Sequence, residues 1–312
     1  MHALSRQIYR TFFTVSLLLT FVFPAAYTQD SPKNKFTKLR GNKYSIEKTG
    51  RMNRHLVPEC SGIIPSGNAD SSCWVHGDNG TPGDIVRIDR SGSVLQRITL
   101  VNIPNKDWED VARDPEGNIY IGDIGNNLNT RRAFSVYVLI PPAEKDKTAH
   151  LLGSVLYQYP DQKEFPPEKK KMNYDCEAMF WFNGNLYFVS KSRGNRVARL
   201  YRLPRVHDLM NEGVEQPTLA DSIHLKKTIL PFTGLVTGAD ISPLSGEGAM
   251  LALLTYGRIY LFSGFKEDDF FSGKVQWLRI PFSQTEAICF ISARELLVTN
   301  ERGKMFVVRI NP

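Results

Sequence analysis

A short pattern recurs five times along the chain, and each copy places acidic or polar residues at one fixed point. The copies begin Glu59-Cys60-Ser61-Gly62-Ile63, Asp107-Trp108-Glu109-Asp110-Val111, Asp175-Cys176-Glu177-Ala178-Met179, Thr237-Gly238-Ala239-Asp240-Ile241 and Gln284-Thr285-Glu286-Ala287-Ile288. Each leads into an apolar strand, a turn and a second apolar strand. The second strand ends in a polar residue and then a glycine: Asp78…Gly80, Asp123…Gly125, Lys191…Gly194, Tyr256-Gly257 and Glu301…Gly303. A unit of roughly 45–70 residues built only from strands, repeated along a chain, reads as a β-propeller.

The segments between the copies are short, rich in Val, Ile, Leu, Tyr and Phe, and separated by Gly, Asn, Asp and Pro. That is strand and turn chemistry rather than helical periodicity. Four repeats supply four strands each. The fifth supplies three, Ala287–Ile291, Glu295–Thr299 and Lys304–Ile310, and the strand Lys43–Lys48 is left over near the N-terminus. An open sheet edge is an aggregation hazard, so the spare strand is expected to complete the last blade. The fold class is therefore all-β, a five-bladed propeller of four-stranded blades closed by the N-terminal strand. The alternative, six blades, needs strands that the sequence does not offer. A short helix is expected around Val206–Asn211, inside one of two long loops.

Residues 1–28 read as a secretory signal. Arg6 and Arg10 form a positive start, Phe12 to Phe23 is apolar, and Pro24-Ala25-Ala26-Tyr27-Thr28 offers small residues for cleavage. The apolar run is short of the roughly 20 residues a membrane span needs, so no stable span is expected after cleavage. Residues 29–41 read as a polar linker and 42–312 as the propeller. The chain is thus expected to be secreted, or periplasmic if bacterial, and monomeric. Its net charge of +7 is spread out, apart from Lys169-Lys170-Lys171, and gives no basic stripe for nucleic acid. It suits an unidentified extracellular ligand, an anionic one included. Four cysteines are too few for a disulfide scaffold. Cys60 and Cys73 flank a hairpin turn near Ser66-Gly67-Asn68, either bridged or free, and Cys176 and Cys289 read as buried thiols. Asn79-Gly80-Thr81 is a glycosylation sequon.

In a propeller the start of the first strand and the end of the second emerge at one mouth of the central channel. Aligned copies give an outer triplet, Glu59, Asp107 and Asp175, and an inner set, Glu109, Glu177 and Glu286, with Ser61 and Ala239 in the equivalent places. Asp110 and Asp240 align as a pair, and Asp78, Asp123 and Glu301 come from the returning strands. Two unit charges about 4 Å apart cost on the order of 4 kcal/mol at an effective dielectric near 20, so this cluster needs compensation. Backbone N–H groups of neighbouring blades can supply it and so lock the ring. A bound cation can too, and an all-oxygen, carboxylate-rich set favours Ca²⁺. The expected ligands are Glu109, Glu177 and Glu286, with Asp110, Asp240, Asp123 and Glu59 in support. His76, Lys191, Arg193, Arg131, Arg132 and Arg302 are candidates to clamp an anion. Trp108 and Tyr256 either line the channel or pack between blades. No G-x-S-x-G, HExxH or P-loop pattern occurs.

Four stretches carry a resemblance: Asp107–Ala112 (DWEDVA), Tyr120–Asn127 (YIGDIGNN), Tyr174–Ala178 (YDCEA), and Thr285–Ala287 with Thr299–Glu301 (TEA and TNE). They resemble secreted bacterial-type β-propellers related to the SdiA-regulated and phytase-associated esterase-like groups. That resemblance implies the fold and secretion, and no particular reaction. The architecture is also similar to the five-bladed calcium-dependent nucleotidases, which hold calcium in the channel. Glu59-Cys60-Ser61, Glu109 and Glu286-Ala287 look like counterparts of their strand-start acids, while their substrate-gripping motifs are not evident. Three functions follow as expectations: cation-dependent ligand binding, calcium-dependent hydrolysis of phosphate esters or lactones with a carboxylate or His76 as base, and a non-catalytic matrix or surface role.

Overall fold

The computed structural model describes residues 36–67, 71–225, 234–243, 248–280 and 284–311. The signal at 1–28 and most of the linker, 29–35, lie outside the described residues. Apart from four short 3-10 turns, the described residues hold strands and no α-helix. No helix among them is long and apolar enough to cross a membrane.

Five sheets form in chain order. Blade 1 is Cys60–Pro65, Cys73–Gly77, Asp84–Ile88 and Val94–Thr99. Blade 2 is Trp108–Arg113, Ile119–Asp123, Phe134–Leu139 and Leu151–Tyr157. Blade 3 is Cys176–Phe182, Asn185–Ser190, Ala198–Leu203 and Thr218–Ile223. Blade 4 is Val236–Ile241, Met250–Thr255, Arg258–Ser263 and Lys274–Arg279. Blade 5 is Thr285–Ser292, Glu295–Asn300 and Lys304–Ile310, and Tyr44–Arg51 supplies its fourth strand, antiparallel to Lys304–Ile310. The N-terminal strand thus closes the ring, as the strand count demanded. The five first strands touch in a cycle, with Cys60–Pro65 meeting both Trp108–Arg113 and Thr285–Ser292.

The first and second strands are buried along most of their length, because a blade is covered on both faces. Ile119–Asp123, Cys73–Gly77 and Trp108–Arg113 are buried along almost their whole length. Between blades 2 and 3 the filling is aromatic. Tyr157 stacks on Phe188 with ring centroids 4.7 Å apart, and Phe134, Tyr159 and Tyr201 join the cluster. Each fully buried ring contributes on the order of 1.5–3 kcal/mol, and the contacts run from blade to blade around the ring.

The outer strands follow the sequence pattern less closely. The fourth strand of blade 3 runs Thr218–Ile223, and 226–229 lie outside the described residues. Its residues are largely exposed, so hydrophobic alternation there is weak. Two unexpected two-residue strands add parallel edges. Thr37–Lys38 pairs with Gln276 and Trp277 of blade 4, and Val214–Glu215 pairs with Leu156 and Tyr157 of blade 2. The C-terminal part of the segment read as a linker is therefore tied down, and its Leu39 is buried. The expected helix near 206 is a single 3-10 turn, Val206–Leu209.

The four cysteines are free and buried. Cys73 pairs across the hairpin with Pro65, and Cys60 with Gly77, so the two sulfurs start from opposite ends of the ladder. A disulfide needs Cα atoms within about 7 Å, and four residues of strand separate these positions. The two cysteines flank one hairpin turn but do not stand opposite one another, so the unbridged alternative holds.

Candidate functional site at one channel mouth

One residue slips out of the ladder at the start of every first strand. The register shifts between Cys60 and Gly62, Trp108 and Asp110, Cys176 and Ala178, Val236 and Gly238, and Thr285 and Ala287. The skipped residues are Ser61, Glu109, Glu177, Thr237 and Glu286. A β-bulge leaves its extra residue unpaired and re-aims it. Five bulges in register make a five-membered ring of side chains. Opposite them, one step past the paired ends of the second strands, stand Asp78, Ile124, Lys191, Tyr256 and Glu301.

This register corrects two alignments made from sequence. The bulge residue of blade 4 is Thr237, not Ala239, so that copy had been read two residues out. Thr237 donates its hydroxyl to Thr285 O at 2.8 Å. Asp123 lies one residue before the ring position, which Ile124 takes, and its side chain turns to Arg131 Nη2 at 2.8 Å. A two-residue slip keeps every side chain on its face and is invisible to polarity patterns. A one-residue slip reverses the face.

Glu59, Ser61, Asp78, Glu109, Glu177 and Glu286 line a cavity of about 170 Å³, which Lys191, Arg193, Tyr256, Glu301 and Asn127 complete. Its two halves differ. In the first, Glu109 is 3% exposed, its Oε2 accepts from Ser61 Oγ at 3.2 Å, and its Oε1 has no partner. Asp78, Asp107 and Glu109 bring one oxygen each within 4.8 Å of one another, and so do Glu109, Asp175 and Glu177. A Cβ on Gly125 would fall 2.5 Å from the Asp107 carboxyl carbon and against Glu109 Oε1. Only glycine lets the backbone back this pair so closely. Burial, then Glu177 and the other acids, pushes the Glu109 carboxyl well above its ordinary range. Burial and then Asp78 push Asp107 up to about 6. Asp78 is raised too, by burial first. Burial and the neighbouring acids outweigh the pull of Arg131 on Asp107 and of Lys191 on Asp78.

The second half carries its own cations. Lys191 Nζ donates to Glu177 Oε2 and, at 3.3 Å, to Tyr256 Oη. Tyr256 Oη donates to Glu286 Oε1 at 2.9 Å. Arg193 Nε donates to Asp175 Oδ2 at 2.8 Å, and its Nη2 to Glu177 Oε1 at 3.1 Å and to Asn127. Burial works against the Lys191 ammonium, but Glu177 and Glu286 outweigh it and raise its pKa. Burial pushes Glu286 up to about 7, against the pull of Lys191.

Asp110 and Asp240 do not line the cavity; they join blades. Asp110 Oδ2 accepts from Met179 N of blade 3 at 2.8 Å and from Ala239 N of blade 4 at 3.3 Å, while Oδ1 accepts from Val111 N at 2.9 Å. Asp240 accepts from Phe290 N of blade 5 at 2.7 Å and from Ile241 N at 2.8 Å. Of the groups considered for anion clamping, Lys191 and Arg193 reach the cavity. Arg131 serves Asp123 and the carbonyl of Gly125, and Arg132 lies 4.4 Å over the ring of Phe165. His76 lies behind the bulge of blade 1, 1% exposed, with Nδ1 3.0 Å from Gly77 O and its ring edge-on to Trp108. Burial pushes its pKa down to about 4. Trp108 is fully buried and packs, whereas Tyr256 lines the mouth.

No family model matches this chain, and no curated protein does. Solved structures do match. A PQQ-bound aldose sugar dehydrogenase from Streptomyces coelicolor aligns over 88% of this chain and 100% of its own, at 8% identity and a TM-score of 0.49. A gluconolactonase from Xanthomonas campestris aligns over 86% and 90%, at 12% identity and 0.47. A virginiamycin B lyase from Staphylococcus aureus aligns over 86% and 99%, at 12% identity and 0.44. Another structure of that lyase aligns over 80% of this chain and 66% of its own, at 14% identity and 0.38. These are β-propeller proteins. At such identities and scores, no site or activity passes from them to this chain.

Proposed function

We propose that the chain is a secreted propeller that binds a divalent cation at the unpaired half of this mouth and holds an extracellular ligand in the adjoining cavity. The observation that carries the reading is Glu109 Oε1, a buried carboxylate oxygen with no hydrogen-bond partner, on a side chain that lines the cavity and clusters with Asp107 and Asp78. Leaving such an oxygen unpaired costs on the order of 1–3 kcal/mol or more, which a cation would recover. Hard oxygen donors without nitrogen or sulfur favour calcium. Glu109, Asp107 and Asp78 would hold the ion, with the Ser61 hydroxyl beside them. Glu177 and Glu286, part of the set expected from sequence, already have Lys191, Arg193 and Tyr256 as partners. Glu59 stands at the rim, and Asp110, Asp240 and Asp123 are committed elsewhere. Secretion rests on the sequence of residues 1–28.

A hydrolytic reading has one observation in its favour. Glu286, held by Tyr256 and poised near neutral pH, faces the same cavity and can exchange a proton there. It calls for turnover of a phosphate ester or a lactone that chelation abolishes.

Thermal unfolding of residues 29–312 in EDTA, then with Ca²⁺, Mg²⁺ or Mn²⁺, tests the cation. A site filled at 100 times its dissociation constant adds about 2.7 kcal/mol, which for a chain of this size is roughly 5–10 °C. A calcium-selective rise that Glu109→Gln removes is expected. No shift with any ion would sink the reading.

A further inference from the structure

The ligand's chemistry can be read from the walls of the cavity, given the reading above that this cavity holds the ligand, on which this inference rests. The lining holds six carboxylates, of Glu59, Asp78, Glu109, Glu177, Glu286 and Glu301, against two cations, Lys191 and Arg193. Both cations are engaged: Lys191 with Glu177, and Arg193 with Asp175, Glu177 and Asn127. The Tyr256 hydroxyl proton is already given to Glu286. The cavity is therefore rich in acceptors and poor in free donors. Glu109 Oε1 has no donor, and among the described residues the Glu59 side chain has no hydrogen-bond or ion-pair partner. Glu301 accepts from Gln284 Nε2 at 2.5 Å and lies within hydrogen-bond reach of the Glu286 carboxyl.

Even one bound divalent cation leaves a formal charge of −2 in the lining. A phosphate or carboxylate ligand would enter a like-charged chamber whose cations are already shared, which weighs against the anionic ligand allowed by the net charge of the whole chain. An acceptor-rich chamber selects a ligand that brings hydroxyl hydrogens. The volume of about 170 Å³ fits one small ring rather than an extended chain.

We propose that this mouth binds a neutral polyhydroxylated ligand, a single monosaccharide unit, whose hydroxyls donate to Glu286, to Glu301 and to Glu59 at the rim. A hydroxyl-to-carboxylate hydrogen bond is charge-assisted and short, so a few of them orient a sugar ring with no positive charge on either partner. Hydroxyl oxygens are also acceptable calcium ligands, so the two halves of the chamber can act on one molecule.

The test is saturation-transfer NMR on residues 29–312, with a panel of glucose, mannose, galactose and ribose, and with inorganic phosphate as competitor. Calcium binding is measured in the same sample by calorimetry. Transfer to at least one sugar is expected, unaffected by millimolar phosphate. Glu301→Gln is expected to weaken that sugar about tenfold while calcium affinity stays within twofold. Calcium binding without transfer to any sugar overturns the sugar assignment and leaves the cation reading standing. If calcium fails to bind, the cation reading falls, and sugar transfer in the same sample decides the assignment alone: its presence keeps it, its absence overturns it. Displacement of the sugar by phosphate overturns it in either case.

Discussion

Glu109 and Asp110 are adjacent, both buried and both acidic, yet the structure gives them different partners. Asp110→Ala removes the acceptor for three backbone N–H groups, of Val111, Met179 and Ala239, two of which belong to other blades. Hydrogen bonds to a charged group are worth about 1.5–3 kcal/mol each, and the abandoned N–H groups stay buried. Removing a carboxyl that burial disfavours offsets part of this loss. The net expectation is a destabilisation of about 3 kcal/mol. At roughly 2–4 °C per kcal/mol for a chain of this size, the midpoint falls by about 6–12 °C.

Glu109→Gln removes no backbone bond, and the Ser61 hydroxyl keeps an acceptor. It takes one charge away from neighbours whose oxygens lie within 4.8 Å. Each ionised pair at that distance costs about 3 kcal/mol at an effective dielectric near 20, reduced by the protons these acids retain. Metal-free Glu109→Gln is therefore expected to be as stable as the parent, or up to about 2 kcal/mol more stable. Calorimetric unfolding of both variants, each in EDTA and in calcium, reads the pair. Asp110→Ala should lose stability and keep its calcium response; Glu109→Gln should do the reverse. A mild Asp110→Ala variant that has lost the calcium response would refute this division of roles.

Three further outcomes can be checked. In EDTA, stability should fall as pH rises from about 4 to about 7, since Asp240 and Glu286, both pushed up to about 7 by burial, hold protons in the folded state that the unfolded chain has released; urea midpoints across that range that stay flat or rise would contradict it. Gly125→Ala should abolish calcium binding in calorimetry while leaving a cooperative fold, because the new methyl intrudes on Asp107 and Glu109 and its backbone needs no left-handed conformation. Mass spectrometry without reductant should find no alkylation of native protein and four alkylated cysteines after unfolding; a mass deficit of two hydrogens per bridge would contradict the free thiols.

Most of the ring was legible because inner strands are covered on both faces and announce themselves as apolar runs between turn residues. The spare strand near the N-terminus and the missing fourth strand of blade 5 are complementary, so closure could be read from a strand count. The edges were less legible. Thr37–Lys38 and Val214–Glu215 add to sheets by backbone hydrogen bonding, which leaves little trace in side-chain pattern. In the site, Glu109, Glu177 and Glu286 were placed at equivalent points, and the structure sets all three at bulges. Thr237 does not stand out because blade 4 carries an acid, Asp240, two residues past Gly238, the position that matches Asp110 of blade 2.

The bulges explain why that error was available and why it matters. On a regular strand, Glu109 and Asp110 would point to opposite faces, and one acid of such a pair would face the ladder's far side. The bulge breaks the alternation, sending Glu109 into the mouth while Asp110 reaches sideways to the amides of blades 3 and 4. Asp240 does the same sideways work one pleat deeper, toward Phe290. The acids therefore fall into two groups by what their neighbours donate. Those that meet backbone N–H groups hold the ring together. Asp78, Asp107 and Glu109 crowd one another with few donors, Asn79 N for Asp78 and the Ser61 hydroxyl for Glu109, while Lys191 and Arg193 bond directly to the acids of the opposite side. That asymmetry, rather than the number of acids, points to a ligand from outside.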